Sequence, residues 1–281
     1  MNFVIIGYGG YIASRHIKAV DDINGNIVCA FDIKDPTNKD FRSMPNTNFF
    51  SDYEAFTSFI EDSQKKTNLD YAIICSPNHL HYKHIVDCLN LDLNVICEKP
   101  LVGSSVEVIL LKELEVKRKK RVFPILQLRY HDSILKLKSV FSRLTPDNCA
   151  DVELTYIAGR DKSYLKSWKG DIKKSFGIEA NIGIHFFDML EWVFGELEHS
   201  DLFMYKPNKS SGFFKFKNAK VKWFLSIDVE DIPDLLKNDL TTYRSIKVDN
   251  NEIDFSSKDG FLDLHSVAYK EILAGRGLTL D

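Results

Sequence analysis

Phe3-Val4-Ile5-Ile6-Gly7-Tyr8-Gly9-Gly10-Tyr11-Ile12-Ala13 is a β-branched run that breaks into glycines and passes into a helical pattern over Ile12 to Val20. Strand, turn and helix in that order are the context of a dinucleotide turn. Read as G-x-G-x-x-G from Gly7 and Gly9, the third position falls on Ile12, too bulky for close helix-strand packing. With one inserted residue, Gly7, Gly10 and Ala13 supply the tight turn, the backbone approach to a pyrophosphate and the helix packing. Asp32 ends the next apolar run 22 residues after Gly10, near the spacing of about 20 for a carboxylate that binds the adenosine ribose. Gly9, Tyr11 and Ile12 complete the expected cofactor turn.

Outward from this turn, the runs Ile27 to Phe31, Tyr71 to Cys75, Val95 to Cys97 and Val122 to Ile125 alternate with helical patterns. Those patterns cover Tyr53 to Ile60, Tyr82 to Leu91 and Ser105 to Lys119, so residues 1–124 read as a doubly wound parallel α/β sheet. The second half changes period. Val152 to Tyr156 and Val221 to Val229 alternate as half-buried strands do, with further strands expected at Asp201 to Tyr205, Phe213 to Lys217, Thr242 to Val248 and Glu252 to Phe255. A helix is expected from His185 to Phe194. Residues 125–281 therefore read as an α+β domain with one large, mainly antiparallel sheet.

Beyond the glycine turn, four places carry chemistry. Lys99, in Cys97-Glu98-Lys99-Pro100, follows the buried run Asn94-Val95-Ile96, at the strand end where open α/β sheets present groups to a ligand; Pro100 keeps its backbone nonhelical. In Gly183-Ile184-His185-Phe186-Phe187-Asp188, an i,i+3 spacing puts His185 and Asp188 on one helix face, where the carboxylate can orient the imidazole. Ser76, Pro77 and Asn78 end a strand at the same sheet edge and are expected to line a cofactor cleft. His79, His81 and His84 lack the partners of a metal site, and no metal is expected. Between Arg160 and Lys174 basic residues outnumber acidic ones, and Tyr164 and Trp168 are interleaved with Lys162, Lys166, Lys169, Lys173 and Lys174. Such a segment suits an anionic ligand with a ring to stack.

A balance of 37 basic against 40 acidic residues excludes a nucleic-acid or anionic-membrane footprint at the level of the whole chain. The five cysteines are odd in number and lack C-x-x-C spacing, as expected of reduced cytoplasmic thiols. No signal peptide or membrane span is expected.

The glycine turn with Arg15-His16, Ser76-Pro77-Asn78 with His81, Glu98-Lys99-Pro100, Arg129-Tyr130 and Gly183-x-His185-x-x-Asp188 together resemble the Gfo/Idh/MocA oxidoreductases over nearly the whole chain. The resemblance implies a Rossmann domain and an open-faced sheet that often serves oligomer contacts. It also implies hydride transfer between a nicotinamide cofactor and a sugar or polyol, with Glu98 and His81 at the cofactor and Lys99 and His185 at the reacting carbon. Within the family, Tyr11 to His16, Ile96 to Leu101, Leu126 to His131, Tyr164 to Gly170 and Thr242 to Ser245 look closest to dehydrogenases of surface-polysaccharide pathways. Those enzymes oxidise the C3 hydroxyl of UDP-2-acetamido-2-deoxy-D-glucuronate with NAD. Arg129, Arg160, Tyr164, Lys166, Trp168, Lys173, Lys174 and Asn181 then become substrate candidates, Asn181 standing where many relatives have Asp. His185 is expected to be the base and Lys99 the oxyanion stabiliser, with the reverse assignment open. A dehydrogenase of a free sugar or inositol, or a silent nucleotide-binding subunit, are the alternatives. Relatives continue into a helix that packs back on the Rossmann domain, and this chain is expected to stop before it.

Overall fold

The computed structural model describes residues 1–34, 46–142, 149–237, 240–253 and 263–280. The side chain of Lys162 and the expected strand end at 254–255 lie outside the described residues. Contacts divide the chain into two compact units, Met1–Leu126 with Leu262–Asp281, and Gln127–Phe261.

The first unit begins with β1 (Asn2–Ile6), α1 (Ala13–Asp22), β2 (Asn26–Phe31), β3 (Asn48–Phe50), α2 (Tyr53–Gln64) and β4 (Tyr71–Ile74). It continues through α3 (His81–Asn90), β5 (Asn94–Cys97), α4 (Ser105–Arg118) and β6 (Val122–Pro124). The strands form one sheet in the order β3-β2-β1-β4-β5-β6, every pair parallel. β1 is the switch point, because the chain builds outward from it first to β2 and then to β4. Its alternation decides which helices it holds: Val4 and Ile6 join the core that includes Phe56, Ile60, Ile85 and Leu111, while Phe3 meets Tyr71 and Tyr269 on the other face. Helix α4 starts on a capping box in which Ser104 and Glu107 satisfy each other's backbone N–H groups.

The second unit contains α5 (Asp132–Phe141), β7 (Ala150–Ala158), α6 (Lys162–Lys166), α7 (Ile172–Ser175) and α8 (Ile184–Phe194). Strands β8 (Leu197–Lys206), β9 (Lys209–Phe216), β10 (Ala219–Ser226), β11 (Thr242–Val248) and β12 (Asn251–Glu252) follow. The sheet order is β12-β11-β7-β10-β9-β8, antiparallel except for β7 with β10. Val152, Leu154, Val221, Trp223, Leu225 and Ile246 turn inward onto Phe186, Met189, Leu190 and Val193 of α8. Asp151, Glu153, Lys220 and Lys222 alternate with them and are exposed, so the other sheet face is polar.

The short strand β3 adds an edge, and helix α9 (Leu264–Leu273) an element, that the sequence pattern does not announce, and α9 belongs to the first unit. The second domain expected over 125–281 therefore gives up its tail. Helix α9 packs on α1, tied by Ser266 to Asp22 and by Lys18 to Asp263, with Ala268, Tyr269 and Ile272 buried. Its apolar residues supply the packing that a helix of this length needs to be stable.

Candidate active site

The turn after β1 is built around Gly7. Its φ is +84°, and a Cβ there would stand 2.7 Å from the Cys75 carbonyl carbon and the Ser76 nitrogen, so only glycine lets the ends of β1 and β4 approach this closely. Gly9 instead meets Asp32, since its N–H donates to Asp32 Oδ2 at 3.0 Å and a Cβ would crowd that oxygen at 3.1 Å. Ala13 is fully buried, as the helix-packing position requires, while Gly9, Gly10 and Tyr11 are exposed. Helix α1 has Ile12 at its N-cap and no side-chain cap, an N-terminus of the kind that can receive a phosphate. With Asp32 at the end of β2, these residues fit a dinucleotide. Asp32 is itself braced by the Lys34 N–H at 3.1 Å.

Beside this turn, Ser76 and Asn78 are buried, and Ser76 Oγ pairs with His84 Nδ1 at 2.9 Å. His81 is buried too, its two nitrogens each 2.8 Å from a carbonyl oxygen, of Ser76 and of Pro100. It thus links the strand ends that carry Asn78 and Lys99 instead of pointing outward to a cofactor. Burial lowers its pKa, opposed by those two carbonyls.

Glu98 is also turned inward. Its Oε1 accepts from His16 Nε2 at 3.0 Å and His265 Nε2 at 3.1 Å, while Oε2 accepts the Lys99 N–H at 3.2 Å. Burial pushes this carboxyl's pKa up, but the two imidazole hydrogen bonds outweigh it and hold the group well below the ordinary carboxylate value. Glu98 therefore supports the backbone of Lys99 from behind, and the Lys99 side chain is half-buried. The sequence offers no sign of His265, which lies 167 residues from Glu98.

In the second unit, a π-helical turn at Glu179–Gly183 leads into α8 and presents Asn181 and His185 in succession. Gly183 is needed there, since a Cβ would meet Leu225 Cδ1 at 2.6 Å. Asp188 makes a bidentate pair with Arg129, Nε to Oδ2 at 2.9 Å and the second nitrogen to Oδ1 at 2.5 Å. The expected orienting carboxylate is thus held by a guanidinium, and Arg129 is committed to Asp188 rather than offered whole to a sugar.

Asn181 donates to the Tyr164 hydroxyl at 2.7 Å. Tyr164 in turn lines a concavity of about 490 Å³ with Gly159, Arg160, Asp161, Ser163, Ser167, Trp168 and Lys169, two cations against one carboxylate. Arg160 lies over the Tyr164 ring at 5.6 Å and Lys169 over Trp168 at 5.8 Å. Partial desolvation and the Arg160 charge push the Lys169 ammonium below its usual value, a strain that an anion would relieve. Lys166, Lys173 and Lys174 are not brought to this concavity. They stand on the solvent sides of the short helices α6 and α7, where Lys174 approaches Asp171 at 3.7 Å.

Residues 1–125 match the model of an oxidoreductase family's NAD-binding Rossmann fold, and residues 149–217 match that family's C-terminal alpha/beta domain. A solved WlbA (WbpB) dehydrogenase from Thermus thermophilus, in complex with NAD and UDP-GlcNAcA, is 43% identical, with a TM-score of 0.94 over 100% of this chain and 90% of that one. The chain belongs to the Gfo/Idh/MocA oxidoreductase family. Among curated members, the glucose-6-phosphate 3-dehydrogenase of Bacillus subtilis is 28% identical over 196 residues, 68% of this chain and 53% of that protein. The myo-inositol 2-dehydrogenase of Thermotoga maritima is 25% identical over 198 residues, 70% of this chain and 55% of that protein. The matches thus span about half the length of these curated relatives. A WlbA dehydrogenase from Chromobacterium violaceum, 17% identical with a TM-score of 0.77, shares the fold.

Family membership agrees with the expected Rossmann-plus-sheet architecture and with NAD as the cofactor of the first unit. A carboxylate at the place of Asp32 can accept from a ribose diol and would repel a 2′-phosphate. NAD should accordingly be preferred over NADP in steady-state kinetics, and Asp32→Ala should erase most of that preference. Equal efficiency of the two cofactors in the unaltered enzyme would contradict the assignment.

Proposed function

We propose that the chain is an NAD-dependent dehydrogenase that oxidises the C3 hydroxyl of UDP-2-acetamido-2-deoxy-D-glucuronate to the 3-keto sugar nucleotide. The observation that carries this reading is the 43% identity over the whole chain to a protein solved with NAD and UDP-GlcNAcA. The cationic, aromatic concavity of the second unit supports it, since a sugar nucleotide with a uronate brings both anionic groups and rings.

NAD, when bound, supplies the hydride acceptor. Gly7, Gly9, Gly10 and the start of α1 hold its pyrophosphate, and Asp32 its adenosine ribose. As the C3–H electron pair departs, the hydroxyl proton must go to a base within hydrogen-bond reach, and we assign that to His185. Lys99 donates to the same oxygen and stabilises its growing negative charge. Arg129 and Asp188 lock the helix that carries His185, and Asn181, aligned by Tyr164, hydrogen-bonds the sugar. Arg160 and Lys169 accept part of the substrate's charge, while Tyr164 and Trp168 cover a ring.

We extend the reading to a setting in surface-polysaccharide (diaminouronic acid) biosynthesis in the cytoplasm. Among the described residues no helix is long and apolar enough to cross a membrane. A homo-oligomer through the sheet of the second unit is part of the proposal, supported by Leu202, Phe203 and Tyr205 on edge strand β8, which are 58%, 68% and 57% exposed.

With NAD, UDP-2-acetamido-2-deoxy-glucuronate should be oxidised with a kcat/KM at least roughly 10²-fold above that of neutral UDP-N-acetylglucosamine, because losing the carboxylate leaves cations unpaired. Equal use of both, or faster oxidation of myo-inositol or glucose 6-phosphate, would overturn the substrate assignment. Lys99→Met and His185→Asn should each lower turnover by roughly 10² to 10⁴ with much smaller changes in substrate affinity. Near-normal turnover in either folded variant removes that residue from the mechanism.

A further inference from the structure

Residues 265 and 269 lie four apart on α9, so they share one face of that helix, and both reach the floor of the Lys99 turn. The Tyr269 hydroxyl is 2.8 Å from His16 Nδ1, which leaves the opposite nitrogen of His16 to donate to Glu98. His265 Nε2 bonds the same Glu98 oxygen, and its buried Nδ1 has no hydrogen-bond partner among the described residues. The polar role of the His265 ring is therefore the Glu98 bond. The other oxygen of Glu98 accepts the Lys99 backbone N–H. A chain of hydrogen bonds thus runs from the last helix to the backbone of Lys99, all within the first unit.

We propose that His265 is a positioning residue for Lys99, acting through the buried Glu98 carboxylate. The proposal rests on the reading of Lys99 given above as the group that stabilises the reacting oxygen. Glu98 must be anionic to accept three donors at once, and its other charged or titratable neighbours do not replace His265. From α3 it is faced by His81, and from the ends of β4 and β5 by the thiols of Cys75 and Cys97. Burial raises both thiols well above their ordinary range, so they remain neutral. Tyr269 is held neutral in the same way. The nitrogen-to-oxygen distances of 3.0 and 3.1 Å at Glu98 are those of hydrogen bonds.

The test compares His265→Leu, which removes the donor, with His265→Gln, whose amide restores one, in the full chain. In the leucine variant the Lys99 amide should exchange with solvent about tenfold faster, and kcat should fall about tenfold with little change in the KM for the sugar nucleotide. Losing one donor raises the Glu98 pKa. The carboxylate then protonates at higher pH, so on acidification the protection of the Lys99 amide should be lost at a higher pH than in the unaltered enzyme. The glutamine variant should return all three readings most of the way, which a purely structural loss would not do. If His265→Leu does not fold, Tyr269→Phe, which frees His16 to turn, should move each reading in the same direction. An unchanged Lys99 exchange rate and pH dependence of that exchange, no rescue by glutamine, or stoichiometric metal in the purified protein would each overturn the proposal. Amide exchange needs no turnover. Should the unaltered enzyme fail to oxidise the sugar nucleotide, the reaction assignment falls while exchange at Lys99 still decides the role of His265.

Discussion

A carboxylate taken out of water is costly by several kcal/mol unless donors replace the lost solvent, and the Glu98 side chain meets that condition only because two distant segments converge on it. His16 comes from the first helix, His265 from the last, and the third donor is the backbone of the lysine that follows. The end of β5, the start of the chain and its final helix are thereby fastened at one point. Without that convergence Lys99 would sit on an ordinary strand-to-loop connection. With it, the lysine has a fixed backbone beneath a half-buried side chain.

The same logic explains which parts of the molecule are legible in sequence. Period-two and period-3.6 patterns reflect burial on one face, so β1, β2, β4, β5 and β11 and helices α1 to α4 and α8 lie close to where those patterns put them. The three-residue β3 is too short to show a period. Helix α9 is hidden for a different reason: its apolar residues match a surface on α1, a fact of tertiary packing that a local pattern does not contain. The glycine turn and Lys99 can be found because backbone constraints there act over neighbouring residues. The partners of Glu98, and the pairing of Asp188 with Arg129, arise across 59 or more residues and leave no spacing to read.

Charge in the second unit carries a similar lesson. Composition singles out the whole basic segment after β7, but its helical turns point only some of the cations the same way. Arg160 and Lys169 share ring faces and a concavity with Tyr164 and Trp168, while Lys166, Lys173 and Lys174 face solvent. An aromatic floor lowers the local dielectric, so two cations there interact with an anion more strongly than several in open water. The bond from Asn181 to Tyr164 then ties that concavity to the turn that precedes His185, joining charge recognition to the expected base within one unit.

The central claim is that this chain removes hydride from C3 of a UDP-linked acetamido-uronic acid. Incubating the purified protein with NAD and substrate deuterated only at C3, then analysing the reduced cofactor by mass spectrometry, tests it directly. Deuterium should appear in NADH, with turnover slowed where hydride transfer limits the rate. Unlabelled NADH formed from that substrate, or label acquired instead from a sugar deuterated at another carbon, would contradict it.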